Sequence, residues 1–378
     1  MNSFSLNIPT KIYFGRKILE SAIAKEKIKG NVLIVTTGRS LIKNGYTDEL
    51  IALLNKKEDV TNVSMFEGIS ANPKIAEINK AIAVAKSCNA QVIIGFGGGS
   101  SIDAAKAVAA GTYSKQTIED MFYKGIQPDE SALPVIAIPT TAGTGSELSK
   151  AAIITDDKKN VKGGIRGEKL YPSVAIVDSY FTESVPFNVT METGFDVLAH
   201  AVESYISVAA SAFTRMLSIE ALKIVWNNLP LLADDLTNIE ARSNMSYASM
   251  IMGINLGNAS TCLPHRLQYP VGANSNTSHG AGLSALFPTW IKHEYKYSSE
   301  KLRELFKEMS GVVPKSGEEC SNLIKEFQNK LKLPTSLKEI NISETLLDKM
   351  ANEVSGNIKN DPLSAEDEII NTIYHESF

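Results

Sequence analysis

Between about residue 30 and residue 180, short runs rich in Val and Ile alternate with helical stretches, and after about Thr182 the strand signal stops. The runs are Asn31–Thr37 (NVLIVTT), Val60–Phe66, Gln91–Phe96 (QVIIGF), Pro134–Pro139 (PVIAIP) and Val174–Asp178 (VAIVD). Strands that are apolar at nearly every position need cover on both faces, and strands separated by helices pair in parallel. Helical patterns follow Gly38 as far as Leu54 and recur over Lys74–Cys88 and Ser101–Ala110. Residues 190–378 read as successive amphipathic helices: Met191–Val208, Arg215–Asn228, Arg242–Asn258, Glu300–Ser310, Ser316–Lys330, Ser343–Glu353 and Ala365–His375. A chain of 378 residues also exceeds what one core usually supports. The expectation is an α/β domain with a parallel sheet over residues 1–182 and an all-α domain over 183–378.

Composition excludes several classes of partner. The net charge is −4, with Lys and Arg dispersed, so no electrostatic footprint for nucleic acid or an anionic membrane exists. No apolar run is long enough to span a bilayer, and the N-terminus, lacking an apolar signal core, reads as a mature start. Cys88, Cys262 and Cys320 are odd in number and unrelated in spacing, which suits reduced thiols in a cytoplasm.

Three of the five histidines, His200, His265 and His279, fall within about eighty residues. Asp196 and His200 stand four apart in a helical stretch, hence on one helix face, where two side chains can converge on one ion. His265 and His279 follow, each beside a proline or glycine turn signal. One carboxylate and three imidazoles complete a tetrahedral set suited to Zn²⁺ or Fe²⁺, and no thiolate lies near. Sites ligated fully by protein are usually structural, so catalysis would require the metal to expand its coordination. Taken singly, each residue also reads as an ordinary cap, core or surface group.

In the α/β half, Gly97-Gly98-Gly99-Ser100 follows a strand and opens a helix, with Asp103 and Lys106 one turn apart on it. Glycines let a ligand approach the backbone, and a helix N-terminus offers N–H donors and a positive dipole end, which makes a phosphate cradle. The usual G-x-G-x-x-G fingerprint is not matched, because Ser100 stands at its last position, and a tight strand–helix turn is the plain alternative. A second polar loop, PTTAGTGSE from Pro139 to Glu147, also follows a strand. Two such loops bound a crevice of the kind where open α/β sheets bind nucleotides.

These segments carry a resemblance. Gly97-Gly98-Gly99-Ser100-x-x-Asp103-x-x-Lys106, the PTTAGTGSE run and Gly194-x-Asp196-x-x-x-His200-x-x-Glu203 resemble the iron-containing (group III) alcohol dehydrogenase family. The likeness runs in order from Pro9-Thr-Lys-Ile-Tyr-Phe14-Gly15 to Asp361-Pro-Leu-Ser-Ala-Glu-Asp367. It implies an N-terminal α/β nucleotide domain, a C-terminal all-helical metal domain of dehydroquinate synthase-like architecture, and an active site in the cleft. It further implies Asp196, His200, His265 and His279 as ligands of Fe²⁺ or Zn²⁺, an NAD(P)(H) cofactor, and a homodimer or larger assembly. The activity implied is hydride transfer between nicotinamide and a small alcohol or carbonyl, the metal acting as Lewis acid. The pyrophosphate would lie on Gly97–Ser100 and the nicotinamide half against Asp103 and Lys106. Thr140, Thr141, Thr144 and Ser146 would bond ribose, phosphate or carboxamide.

Two departures bear on chemistry. Many family members carry a second histidine four residues after the third ligand; here Tyr269 stands there, a weaker acid–base group at neutral pH. Arg266, beside a ligand, either pairs on the surface or favours an anionic substrate such as a phosphonate or carboxylate aldehyde. The second departure is the absence of an acid after the first strand, where Gly38, Arg39 and Ser40 stand instead; this favours NADP over NAD. A dehydroquinate synthase-like lyase and a regulatory protein that binds metal and nucleotide without turnover are the competing readings.

Overall fold

Near-continuous apolar runs dictate a buried parallel sheet, and the chain builds one within the unit Ile8–Val185. A computed structural model describes residues 3–159, 161–275, 277–366 and 368–378. The order in this unit is β1 (Lys11–Gly15), α1 (Leu19–Lys25), β2 (Gly30–Thr36), α2 (Arg39–Lys43), α3 (Tyr46–Asn55), β3 (Val60–Glu67) and α4 (Ile75–Ser87). It continues through β4 (Val92–Gly97), α5 (Gly99–Thr112), α6 (Ile118–Lys124), β5 (Val135–Pro139), β6 (Ala151–Asp156), β7 (Val161–Arg166) and β8 (Val174–Asp178).

Six strands pair in the order β1-β8-β5-β4-β2-β3, every ladder parallel. Successive side chains of a strand point to opposite faces, and the two faces have separate cores. Leu33, Val35 and Ile93 pack with Ile78, Ala81, Ala104 and Val108 on one side. Val32, Ile34, Ile94 and Phe96 pack with Ala22, Leu50 and Leu54 on the other. From β2 the chain moves outward to β3 and then returns to β4 on β2's other flank, so the strand order reverses between β2 and β4. Ligands of open α/β sheets bind beyond the strand C-termini at such a reversal; here those termini lead into Gly38 and Gly97.

Three features of this unit differ from the sequence expectation. Residues after Gly38 form two helices, because Gly45 adopts φ +73°, a left-handed conformation that interrupts the pattern. β1 and the antiparallel hairpin β6–β7 are additional strands; Gly163 and Gly164 weaken the strand signal of β7. Asp178, at the end of β8, accepts from the N–H groups of Lys17, Ile18 and Leu19 and so fastens the start of α1.

The second unit, Pro186–Phe378 with Met1–Asn7, is helical: α7 (Phe187–Ile206), α8 (Ala212–Asp234), α9 (Ile239–Asn258), α10 (Leu263–Asn274), α11 (His279–Ser310), α12 (Gly317–Lys330), α13 (Leu347–Glu353) and α14 (Ile369–Glu376). Asp367, the last residue of the motif that closes the family likeness, lies outside the described residues. No described helix is long and apolar enough to cross a membrane. The helix expected over Glu300–Ser310 is the last third of α11, which continues from His279 across a kink at Ser298. Helix α10 went unexpected because Pro264 and Pro270 read as turn signals. Pro264 sits in its first turn, where a missing N–H costs nothing. From Gly194 to Ile206 every residue of α7 is buried, so Asp196, His200 and Glu203 lie in the interior of this unit and need partners there.

Candidate functional site

Positions 196, 200 and 203 of α7 share one face by helical spacing, and that face meets α10 and the start of α11. His265 enters from the first turn of α10, and His279 is the first residue of α11, whose N-cap Ser278 accepts from Ala281 N. The following residue, Gly280, lets α11 approach α7 closely: a Cβ there would stand 2.5 Å from Glu192 O, one turn before Asp196.

Three imidazoles converge on one oxygen. Asp196 Oδ1 lies 3.3 Å from His265 Nε2, 3.5 Å from His279 Nε2 and 3.7 Å from His200 Nε2. The His200 and His265 rings stack at 4.5 Å, and His265 and His279 stand 5.3 Å apart. Asp196, His265 and His279 offer ligand atoms all within 4.8 Å of one another; His200 completes the predicted four from one turn further along α7. All three separations are longer than the usual range of N–H···O hydrogen bonds. They suit donors arranged about a common centre, since a tetrahedron with bonds of 2.0–2.1 Å has edges of about 3.4 Å.

The supporting bonds set which nitrogens are available. His265 Nδ1 donates to Glu203 Oε1 at 2.7 Å, and Glu203 Oε2 accepts from Cys262 N at 2.7 Å. His279 Nδ1 donates to Gln268 Oε1 at 2.5 Å. Each turns Nε2 toward Asp196, the orientation that an outer hydrogen bond gives a ligating histidine. Burial opposes a charged Asp196, but His200 and His279 outweigh it and hold its carboxyl well below the usual range. Burial likewise opposes a charged His265, yet Glu203 and Asp196 push it up to about 10. Two buried carboxylates thus stand among three imidazoles, and the donor set fits a divalent cation. Sequence reasoning carried Glu203 in a motif without giving it a role. The available signal was its spacing, three residues after His200 on the same face. Gln268, three residues after His265, had the same signal.

On α10, Tyr269 shares the face of His265. Its Oη accepts from Arg266 Nη1 at 2.8 Å, while Arg266 Nη2 donates to Thr261 Oγ1 at 3.1 Å. Arg266 is 4% exposed, so the surface pairing weighed from the sequence does not occur.

In the α/β unit, β4 ends at Gly97, whose carbonyl accepts from Thr140 N and ties the two polar loops together. Gly98 caps α5 without a side chain; its carbonyl accepts from Ser101 N and Ile102 N, so the N–H groups of Gly99 and Ser100 are those the helix start offers to a ligand. Ser100 Oγ donates to Ala71 O. Thr144 packs against Gly99, where a Cβ would fall 2.5 Å from its Oγ1, and Thr141 lies 3.4 Å from the Cβ position of Gly98. Asp103 and Lys106 are engaged within the protein. Lys106 is fully buried, with Nζ 2.9 Å from Ser146 Oγ, 3.1 Å from Ser149 Oγ and 2.8 Å from Ala151 O. Asp103 accepts from Ile153 N and from Ser146 Oγ. An ammonium has three donors, and these partners use them. Lys106, Asp103 and Ser146 thus brace the second loop onto α5.

At the end of β2, Gly38 takes φ +90°, and Arg39 and Ser40 are exposed. An acid does reach this turn, from the neighbouring strand: a Cβ on Gly38 would meet Glu67 Oε2 at 3.1 Å. Neither Arg39 nor Glu67 forms an ion pair among the described residues. Strand adjacency, which the linear sequence does not state, hid Glu67.

Comparison with known proteins follows the same division. A family profile described as iron-containing alcohol dehydrogenase matches residues 9–179, and one described as Fe-containing alcohol dehydrogenase family, C-terminal, matches residues 190–378. The chain is 31% identical to an NADPH-dependent butanol dehydrogenase of Clostridium saccharobutylicum, over 89% of this chain and 87% of that protein. It is 30% identical to NADH-dependent butanol dehydrogenase A of Clostridium acetobutylicum, over 97% and 98%. Among solved structures, sulfoacetaldehyde reductase from Bifidobacterium kashiwanohense in complex with NAD⁺ matches with a TM-score of 0.88 at 25% identity, covering 100% of this chain and 99% of that one.

Proposed function

The chain belongs to the iron-containing alcohol dehydrogenase family and is an NAD(P)-dependent oxidoreductase acting on CH–OH groups; from that premise we propose that Asp196, His200, His265 and His279 hold Fe²⁺ or Zn²⁺ and that a small alcohol and its aldehyde or ketone are interconverted there. The convergence of three Nε2 atoms on Asp196 Oδ1 carries this reading. Bound metal would supply Lewis-acid polarisation of the substrate oxygen, and NAD(P)(H) the hydride. The protein's own groups do the rest. Glu203 and Gln268 keep Nδ1 of His265 and His279 protonated, so that both Nε2 lone pairs face inward. Tyr269, on the His265 face, is the proposed proton donor at its Oη, held there by Arg266. Burial of Asp196 and His265 keeps water from them.

The test is turnover. Protein reconstituted separately with Fe²⁺ and Zn²⁺ should oxidise NADPH in proportion to aldehyde consumed, followed as lasting loss of nicotinamide absorbance. A dehydroquinate synthase-like lyase recycles its NAD and gives no lasting change; a regulatory protein binds cofactor without turnover across a broad aldehyde panel. Either outcome would displace the proposal. A structural relative named for sulfoacetaldehyde reduction supports keeping an anionic aldehyde within the substrate class.

For the cofactor the finer reading is NADP, supported by exposed Arg39 and Ser40 beside a position without a side chain. Glu67 opposes it from β3 by repelling a 2′-phosphate. Arg39→Ala should raise the KM for NADP about tenfold, the scale of one charge-assisted contact, and change that for NAD little. Glu67→Gln should shift the ratio the other way. Equal effects on both cofactors would remove these residues from the 2′ site. A reduced, cytoplasmic setting, supported by three free cysteines, and a homo-oligomer, supported by the family likeness, complete the proposal.

A further inference from the structure

Arg266 is a buried cation whose partners are neutral. At 4% exposure, its guanidinium donates to Tyr269 Oη and Thr261 Oγ1, and its Nε has no hydrogen-bond partner among the described residues. The carboxylates of the surrounding helices are engaged elsewhere. Glu203 binds His265 Nδ1 and Cys262 N. Asp361 accepts from Leu263 N at 2.8 Å and Trp290 Nε1 at 3.0 Å, and Glu294 accepts from Ser298 Oγ. None forms an ion pair with Arg266 among the described residues. The side chain is also held in place: Gly356 packs on it so closely that a Cβ there would stand 3.1 Å from Arg266 Cδ.

A buried charge is retained only with a counter-charge, and among the described residues none is in contact with Arg266. The guanidinium's position says where one would come from. Tyr269 lies one turn from His265 on the same face of α10, and Arg266 Nη1 reaches its hydroxyl, so the cation is drawn onto the face that carries a proposed metal ligand. A planar guanidinium matches the paired oxygens of an anion.

Resting on the oxidoreductase reading above, we propose that the substrate is a short aldehyde with an anionic tail (sulfonate, phosphonate or carboxylate) and that Arg266 binds that tail. The carbonyl carbon gains hydride from reduced nicotinamide and its oxygen gains a proton, giving the alcohol, while the tail stays unchanged.

Metal-loaded protein should be assayed with NADPH and NADH against sulfoacetaldehyde, phosphonoacetaldehyde and succinic semialdehyde, beside propanal and butanal. At least one anionic aldehyde is expected to exceed the neutral ones about a hundredfold in kcat/KM, and the preferred arm identifies the tail. Neutral aldehydes turned over as well as all the anionic ones would overturn the inference and leave the oxidoreductase reading standing. Binding gives a second readout that needs no turnover. Ethanesulfonate, ethylphosphonate or propionate should raise the melting temperature of the wild-type protein, and the effect should vanish in Arg266→Met and partly return in Arg266→Lys. If no aldehyde is reduced, the oxidoreductase reading fails, and this binding arm still decides whether Arg266 is an anion site. Absence of any shift in the wild-type protein would overturn it without reference to whether the variants fold.

Discussion

Replacing His265 with alanine should leave the protein with less than about a tenth of an equivalent of bound metal and lower kcat/KM about a thousandfold, the scale set by losing several kcal/mol of charge stabilisation at 1.36 kcal/mol per decade. The expectation follows from position. His265 has the shortest approach to Asp196, 3.3 Å, and stacks on His200, so it stands at the middle of the cluster. Its loss removes a donor and also brings together two buried carboxylates, Asp196 and Glu203, that its imidazole now separates and compensates. Glu203→Gln provides the graded comparison. It keeps all four donors but weakens the bond that orients His265, and should cost roughly 10–100-fold in metal affinity. Elemental analysis after dialysis and steady-state kinetics check both, with circular dichroism to show that the helices persist. Full activity and unchanged metal content in the alanine variant would sink the assignment.

The fold was legible because its signals are local and repeated. Apolar runs such as Val92–Phe96, each followed by a helical period, leave few architectures besides a covered parallel sheet. What escaped was of two kinds. Some elements contradicted their own local signal: α10 contains Pro264 and Pro270, and tertiary packing, not propensity, keeps it helical. The other omissions were long-range. Glu67 matters through β3's place beside β2, and Gln268 through α10's place beside α11; no window of the sequence contains either adjacency. The Asp196, His200, His265 and His279 set was readable since histidines are few and one pair carried helical spacing. Lys106 shows a second, internal use of a motif residue. A lysine one turn into a glycine-led helix reads as a ligand contact, and here the PTTAGTGSE loop folds over it and takes its donors. Residues that lie near a ligand site in sequence are as useful for shaping a loop as for touching what binds.

That distinction makes the two glycines of the turn separable by experiment. At Gly99 a methyl group would collide with the protein itself, 2.5 Å from Thr144 Oγ1 and 2.6 Å from its Cγ2. Gly99→Ala is therefore expected to overpack the contact at a cost of about 1–3 kcal/mol, lowering stability and nucleotide affinity together. At Gly98 the φ of −71° is open to any residue, and the nearest atoms to an added Cβ are those of Thr141 at 3.4 and 3.6 Å, ordinary contacts. Gly98→Ala should accordingly leave the melting temperature and metal content unchanged. It should nevertheless weaken NADP(H) binding about tenfold or more, because a pyrophosphate lying on the first-turn N–H groups needs the space that the methyl would fill. Titration of cofactor fluorescence in both variants, read beside their thermal melts, distinguishes the cases. A Gly98→Ala protein that melts and binds nucleotide like the wild type would mean that Gly97–Ser100 is only a tight strand–helix turn, and the pyrophosphate site would have to be sought elsewhere in the α/β unit.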